Sequence, residues 1–311
     1  FLTGTDEHGL KIQRAAEKRN VDPQTFCDEI SQTFRDLSKT LNLSNTDFIR
    51  TTEERHKKTV QHLWKELEKN NDIYLSKYSG WYSVSDEAFY SNEEITEKEN
   101  IKIAIASGSP VEWIEEESYF FRLSKWQDEL LNYYENNPDF ISPKSRKNEV
   151  ISFVKSGLKD LSISRKAFSW GIKVPDNSDH IIYVWLDALT NYISALNYPD
   201  TNDNLFKKFW PASVHLIGKD ILRFHSVYWP AFLMAAKIPL PKKIYGHGWI
   251  LSGDEKMSKS KGNILDPLDI IEIYGLDPLR YYLIKEVSFG NDGNISQDRL
   301  EDCINSDLAN N

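Results

Sequence analysis

Apolar residues recur along the chain at spacings that predict alternating helices and strands. Between Phe26 and Leu41 they follow one another every three or four residues, which is typical of one buried helical face. Asp22 and Pro23 stand just before this pattern and suit a helix cap and a first helical turn. We therefore predict a helix that begins at Pro23 and packs one face on a core.

A second helix is predicted after residue 51. Thr51 and Glu54 have the spacing of a capping box, in which each end of the first turn bonds the other. The expected buried stripe consists of Val60, Leu63, Trp64 and Leu67. Such stripes are core, and they indicate no function.

Short apolar runs predict the strands. Ile181–Trp185 and Val214–Gly218 are continuous apolar runs, as expected of buried parallel strands, and Asp187 suits a cap for the helix after the first run. Four runs between residues 71 and 182 predict strands of a separate unit: 80–84, 88–90, 111–114 and 119–121. Further on, a glycine-spaced strand is predicted over Tyr245–Ile250, and two helices open at the Asp-Pro pairs 266–267 and 277–278.

Composition narrows the class of protein. The chain has 311 residues, 40% of them hydrophobic, which indicates a folded protein with two or more substructures. Its net charge of −9 excludes a generally basic surface, so any nucleic acid must meet a local patch. Two distant cysteines, Cys27 and Cys303, indicate a reducing compartment such as the bacterial cytoplasm or the mitochondrial matrix. No apolar run reaches the length that spans a bilayer, so no membrane partner is expected.

Two polar segments are candidates for chemistry. Residues 256–263 read K-M-S-K-S-K-G-N, a cationic loop suited to a strongly anionic ligand, although most such loops are merely solvated. Residues 4–9 read G-T-D-E-H-G and follow an apolar strand end, where open α/β sheets bind ligands. There Asp6 could hold an ammonium group and His8 a phosphate or ribose. The alternative is a turn with helix-capping duty.

Both segments carry a family resemblance. K-M-S-K-S resembles the phosphate-binding loop of the class I aminoacyl-tRNA synthetases, and G-T-D-E-H-G has the form seen in the methionyl-tRNA synthetases. V-W-L-D-A, I-G-K-D-I and F-H follow in the same order as in that family. The resemblance implies a doubly wound parallel α/β sheet of the Rossmann type, split by an α+β connective insertion and followed by a mostly helical linking module.

The resemblance also implies domain boundaries. Residues 1–70 are expected to form the first part of the nucleotide-binding domain, and 71–182 the insertion. Residues 183–250 should complete that domain, 251–305 should form the linking module with the K-M-S-K-S loop, and 306–311 should begin an anticodon-binding helical domain. No cysteine lies between Cys27 and Cys303, so a thiolate zinc site in the insertion is not expected.

Methionine is the amino acid that the resemblance implies. Asp6 is expected to hold its ammonium group, and Trp185, Leu189, Tyr192, Ile221 and His225 to wall its side chain. Aromatic walls attract a polarizable thioether, and these walls carry no fixed charge for a charged amino acid. Tyr192 and His225 could also donate hydrogen bonds to sulfur.

ATP is expected to bind the remaining site residues. The resemblance implies Gly218, Asp220, His247, Gly248, Ile250, Lys256, Ser258 and Lys259 for ATP, with Lys256 and Lys259 acting catalytically. Glycine at 246 and 248 would let a flat ring approach the backbone closely. The implied reaction forms methionyl-adenylate from methionine and ATP, with Mg²⁺ accompanying ATP, and passes methionine to tRNA(Met). A monomer is expected.

One family signature is missing. The His-x-Gly-His segment that binds ATP phosphates does not occur in the chain, and we expect it upstream of Phe1 in a longer protein. The 311 residues alone are therefore expected to be inactive. Two alternatives stay open: a catalytically silent, synthetase-like binding protein, and an unrelated metallohydrolase that uses Asp6, His8 and His225.

Overall fold

A computed structural model describes residues 1–86, 88–98, 101–252, 255–256 and 265–309. Its strands, in chain order, are β1 (Leu2–Thr5), β2 (Asp47–Arg50), β3 (Ile73–Ser83), β4 (Ala88–Tyr90), β5 (Ile95–Lys98), β6 (Ile101–Ala104), β7 (Glu112–Phe121), β8 (Ile141–Ser142), β9 (Leu161–Ser162), β10 (Ser164–Arg165), β11 (Lys173–Val174), β12 (Asn177–Ile182), β13 (His215–Gly218), β14 (Ile244–His247), β15 (Ile250–Ser252), β16 (Glu255–Lys256) and β17 (Gly293–Asn294).

The α-helices are α1 (Leu10–Arg19), α2 (Pro23–Thr40), α3 (Glu54–Lys69), α4 (Gln127–Asn136), α5 (Lys144–Lys155), α6 (Val184–Leu189), α7 (Asn191–Ser194), α8 (Asn204–Phe209), α9 (Trp229–Ala235), α10 (Pro267–Tyr274), α11 (Leu276–Glu286) and α12 (Gln297–Cys303). Short 3₁₀ and π-helical turns cover Lys219–Ile221 and Phe224–Tyr228. No helix among the described residues is long and apolar enough to cross a membrane.

The chain divides into two compact units. The first unit comprises Phe1–Leu131, Val154–Pro211 and Val227–Leu240, and the second comprises Asn132–Phe153, Ala212–Ser226 and Pro241–Asn311. Cys27 in the first and Cys303 in the second are both free and buried.

The first unit opens with a parallel strand pair, β1 and β2. Gly4 in β1 is required by this pairing, because a Cβ there would lie 1.9 Å from the Ile49 carbonyl oxygen. Helix α2 begins at Pro23 as predicted, but its predicted stripe is only partly buried, because Phe26 is buried whereas Phe34 is 49% exposed. Asp22 accepts a hydrogen bond from the Thr25 backbone at 3.1 Å and caps α2 as predicted.

The predicted core stripe of α3 is confirmed, whereas its predicted capping box is wrong. Val60, Leu63, Trp64 and Leu67 are fully buried. The helix starts at Glu54 with Glu53 as its cap residue, and no side chain caps it. The Thr51 hydroxyl instead accepts a hydrogen bond from the Glu7 backbone N–H at 2.9 Å.

An antiparallel sheet of order β4-β3-β7-β9 occupies the middle of the sequence. The runs 111–114 and 119–121 belong to one strand, β7, and not to two, because β7 pairs with β3 without interruption from Glu112 to Phe121. The acidic residues 115–117 hide this continuity in the apolar pattern.

The segment 181–185 differs from its prediction. Ile181 and Ile182 end β12, which pairs antiparallel with β10 and β11, and the chain turns into α6 at Val184. The apolar run therefore combines a strand end and a helix start, and all of it except the partly buried Trp185 is buried. Asp187 lies inside α6 and does not cap it.

The second unit contains a parallel sheet of order β13-β14-β8. Its strand β13 is buried on one side only, since Leu216 is 56% exposed, and the predicted strand 245–250 divides into β14 and β15. Helices α10 to α12 surround a core of Tyr282, Ile295, Leu300 and Cys303. Asp266 caps α10 as predicted, whereas α11 starts before Asp277, after Gly275 at φ 90°.

Candidate active site

The turn after β1 divides its three polar residues between solvent and interior. Asp6 is exposed, whereas Glu7 and His8 are 3% and 5% exposed. Asp6 thus presents a carboxylate to solvent at the carboxyl end of a parallel strand, where the sequence predicted a ligand contact. Its two neighbours hold the turn in place.

Glu7 anchors the turn to β2. Its carboxylate accepts two hydrogen bonds from Arg50, at 2.7 and 2.9 Å. It also accepts the hydroxyls of Thr5 at 2.6 Å and Thr52 at 2.5 Å. The Glu7 carbonyl oxygen accepts the Trp170 indole N–H at 2.6 Å. The sequence did not single out Glu7.

His8 anchors the same turn to α6. Its Nδ1 lies 2.6 Å from Asp187 Oδ2, and the other carboxylate oxygen lies 2.7 Å from His56 Nε2. His56 Nδ1 lies 2.9 Å from the Ser194 hydroxyl. Burial by itself would raise the pKa of Asp187, but the two histidines hold it at about 2. His8 Nδ1 therefore faces a buried carboxylate, so this nitrogen is not available for the phosphate or ribose contact that the sequence suggested.

Three predicted methionine contacts lie in the first unit with Asp6. Trp185 and Leu189 belong to α6, and Tyr192 to α7. Leu189 is buried, and the other two are partly buried. The Tyr192 ring lies 6.3 Å from that of Trp229, and burial raises the pKa of its phenol.

The remaining two predicted contacts, Ile221 and His225, lie in the second unit. His225 Nδ1 lies 3.0 Å from the Ile221 carbonyl oxygen and donates to it. Burial lowers the pKa of His225 to about 4 and, together with His225, lowers that of His215 to about 3. This burial favours the neutral form of the His225 ring. The expected hydrogen bond from His225 to sulfur stays a prediction.

The predicted ribose contacts lie at the end of β13. A Cβ on Gly218 would lie 2.6 Å from Asp220 Oδ1, so glycine leaves room for this carboxylate. Asp220 is exposed and accepts the Trp249 indole N–H at 3.2 Å. Lys219, beside it, bonds both oxygens of Asp292 at 2.7 Å.

Asp292 ties Lys219 to Trp249, which lies in the turn between β14 and β15 beside the predicted adenine contacts. It accepts the Trp249 backbone N–H at 2.9 Å, and the Lys219 ammonium lies 4.0 Å above the Trp249 ring. The hydrogen bonds from Lys219 and the Trp249 backbone lower the pKa of Asp292. Asp292 was not predicted from the sequence, because no local pattern marks it.

The predicted adenine contacts lie on β14, β15 and the turn between them. His247 and Ile250 are exposed, and His247 Nδ1 lies 2.7 Å from the Gly248 carbonyl oxygen. A Cβ on Gly248 would lie 2.0 Å from the Asn291 carbonyl oxygen. Protein backbone therefore fills that side of Gly248, and a flat ring would have to approach from elsewhere.

The lysine loop lies mostly outside the described residues. Lys256 ends β16, which pairs antiparallel with β15. Ser258 and Lys259 lie outside the described part of the chain, so their predicted phosphate contacts remain predictions.

Arg165 is a buried cation that the sequence did not assign. It is 2% exposed, and its Nη1 donates to Ser162 and to the Ser164 carbonyl oxygen. Its guanidinium lies 4.4 to 5.5 Å from the rings of Tyr82, Phe89 and Tyr183. Nε and Nη2 are buried and have no hydrogen-bond partner among the described residues.

Metal ligands are not grouped in the described part of the chain. No set of three or more His, Cys, Asp or Glu side chains there is arranged to hold a metal ion. The metallohydrolase alternative, built on Asp6, His8 and His225, has no support in these positions.

A family model described as "tRNA synthetases class I (M)" matches residues 1–99 and 94–311. The chain belongs to this family. Its α/β fold is that of the Rossmann-type catalytic core of class I synthetases, as predicted.

Similar proteins agree with the family. The methionine--tRNA ligases of Rickettsia prowazekii (strain Madrid E) and Brucella suis biovar 1 are 61% and 56% identical over 310 residues, 100% of this chain and 60% of each relative. A crystal structure of Mycobacterium tuberculosis methionyl-tRNA synthetase bound by methionyl-adenylate is 51% identical with a TM-score of 0.97. The match covers 100% of this chain and 61% of the Mycobacterium tuberculosis chain. The chain thus spans about three fifths of the length of these relatives.

Proposed function

We propose that this chain is the catalytic part of a methionine–tRNA ligase. The protein would join methionine to ATP as methionyl-adenylate and transfer methionine to the 3′ end of tRNA(Met). The observation that carries the proposal is the 61% identity, over the whole chain, with a relative named methionine--tRNA ligase. The adenylate complex of the Mycobacterium tuberculosis enzyme supports the same first step.

Methionine recognition is assigned to the predicted residues. The exposed carboxylate of Asp6 would hold the ammonium group, since Glu7 and His8 fix the turn that carries it. Trp185, Leu189, Tyr192, Ile221 and His225 would wall the side chain. A neutral His225 adds no charge to that wall, which suits an uncharged thioether.

ATP binding is assigned to two groups of residues. Gly218, Asp220, His247, Gly248 and Ile250 would hold the nucleoside, with Asp220 as the ribose carboxylate. Lys256, Ser258 and Lys259 would contact the phosphates, and Mg²⁺ would accompany ATP as bridging counter-charge. The methionine carboxylate attacks the α-phosphorus and pyrophosphate leaves, so the enzyme needs no nucleophile. Positioning and electrostatic stabilisation can supply the rate.

The remaining features are proposals of the same kind. We assign residues 1–70 and 183–250 to the nucleotide-binding domain, 71–182 to the insertion, 251–305 to the linking module and 306–311 to the start of an anticodon-binding domain. The protein would act as a monomer without bound zinc.

The test is ATP–pyrophosphate exchange by the full-length protein with each amino acid in turn. Methionine should support exchange far better than any other. Exchange driven by a different amino acid, or by none, would contradict the proposal. Charging of tRNA(Met) by the same preparation then tests the second step.

A further inference from the structure

A buried chain of four polar side chains runs behind the proposed methionine contacts of the first unit. It consists of His8, Asp187, His56 and Ser194, joined by distances of 2.6, 2.7 and 2.9 Å. His8 is 5% exposed and the other three are fully buried. The chain links the turn after β1 to α6, α3 and α7.

The members of this chain alternate with proposed ligand contacts. His8 lies two residues after Asp6, and Ser194 lies two residues after Tyr192. Asp187 lies midway between Trp185 and Leu189. Two residues along a helix correspond to a rotation of about 200°. Side chains on one face of α6 and α7 therefore belong to the buried chain, and those near the opposite face are the proposed contacts.

Asp187 is the centre of this arrangement. Its two carboxylate oxygens each face a different imidazole nitrogen, on residues 179 and 131 positions away in sequence. A carboxylate accepts both ring N–H groups at once, whereas a carboxamide has one acceptor oxygen and one NH₂ donor. Replacing Asp187 by asparagine would thus leave one imidazole facing a donor with little change in volume.

We propose that His8, Asp187, His56 and Ser194 are positioning residues that fix Asp6, Trp185, Leu189 and Tyr192 in the geometry that binds methionine. This inference rests on the proposed function. None of the four touches the substrate in this scheme. They act on methionine through the backbone of the turn after β1 and of α6 and α7.

Disturbing this buried chain should impair the use of methionine and not the use of ATP. A displacement of about 1 Å in a positioning group can cost up to about a hundredfold in rate. We expect Asp187→Asn to lower kcat/KM for methionine by about tenfold or more. KM for ATP should stay within about twofold, because no member of the buried chain is a proposed ATP contact.

The matched control is Asp72→Asn, a substitution of another buried carboxylate in the same unit. Asp72 is 1% exposed and accepts Lys125 Nζ at 2.7 Å and Trp126 Nε1 at 3.3 Å. Both variants should lower the melting temperature, but Asp72→Asn should leave kcat/KM for methionine within about twofold of wild type. ATP–pyrophosphate exchange by the full-length enzyme measures both substrates, and a methionine titration gives the affinity of the folded protein.

His56 provides a second pair of variants if Asp187→Asn fails to fold. The amide nitrogen of His56→Gln can replace Nε2 as a donor to Asp187, whereas His56→Leu removes the donor. The glutamine variant should retain methionine affinity and the leucine variant should lose it.

Different failures have different meanings. If the wild-type protein showed no methionine-dependent ATP–pyrophosphate exchange, the proposed function itself would be wrong. Active wild type with an unchanged methionine KM and kcat in Asp187→Asn would overturn only the positioning role. Equal methionine affinity in the two His56 variants, or parallel losses for methionine and ATP, would overturn it as well.

Discussion

Replacing Glu7 by alanine should destabilise the protein by about 3 kcal/mol, because it leaves a partly buried arginine without its main partner. Glu7 is 3% exposed, and its carboxylate accepts four hydrogen bonds, two of them from Arg50. Breaking one partner out of a buried ion pair costs about 3–5 kcal/mol in other proteins. Arg50 keeps Asp28 at 2.6 Å, which favours the lower end of that range.

The matched control is Glu53→Ala in the same unit. Glu53 pairs with Arg55 at 2.5 Å, but both side chains are more exposed, at 28% and 37%. Such a pair contributes about 1 kcal/mol or less. Urea unfolding of the full-length protein, followed by circular dichroism, compares the two variants. If Glu7→Ala costs no more than Glu53→Ala, the carboxylate does not anchor the turn and the reasoning fails.

Four further outcomes can be checked directly. Lys259→Ala should slow methionyl-adenylate formation by about a hundredfold, because the expected contact of Lys259 with phosphate strengthens in the transition state. Methionine binding without ATP should stay nearly unchanged. Pre-steady-state kinetics measure the rate, and a near-normal rate would mean that the loop is only solvated. Asp6→Asn should weaken methionine binding in a folded protein, as a titration would show; a capping role would instead lower stability alone. Gly248→Ala should lower the free energy of unfolding by about 1–3 kcal/mol, because its Cβ would overpack against Asn291. Gly246→Ala should cost less, since its Cβ would lie 3.5 Å from the nearest atom. Equal losses of stability in urea unfolding would contradict this. Elemental analysis of the purified protein should find no stoichiometric zinc, and one tightly held zinc per chain would refute a zinc-free insertion.

Elements with local signals could be predicted from the sequence. The stripe of α3 and the cap of α2 by Asp22 depend only on residues within a few positions of each other, and both are present. The secondary structure of the run 181–185 could not be decided from neighbouring residues, because a short apolar run is equally compatible with a strand and with a buried helix. Its division between β12 and α6 is visible only in the pairing of β12 with β10 and β11.

The candidate site could be predicted only where a motif names its residues. The sequence suggested a helix cap at Asp187 and offers no reason to pair it with His8 or His56. Those partners are 179 and 131 residues away, so only the folded chain brings them together. Asp292 was missed for the same reason, since its partner Lys219 lies 73 residues away.

Under the proposed function, the turn after β1 serves both the scaffold and the ligand. Glu7 fixes the turn to β2 through Arg50, and His8 fixes it to α6 through Asp187. Both anchors are buried, whereas Asp6 between Thr5 and Glu7 is exposed. A lone exposed carboxylate on an unanchored loop would lose conformational freedom each time it bound an ammonium group. Because Glu7 and His8 are already held from two sides, the backbone part of that loss is incurred during folding. Under the proposed function, Glu7 and His8 would therefore contribute to methionine affinity without touching the ligand.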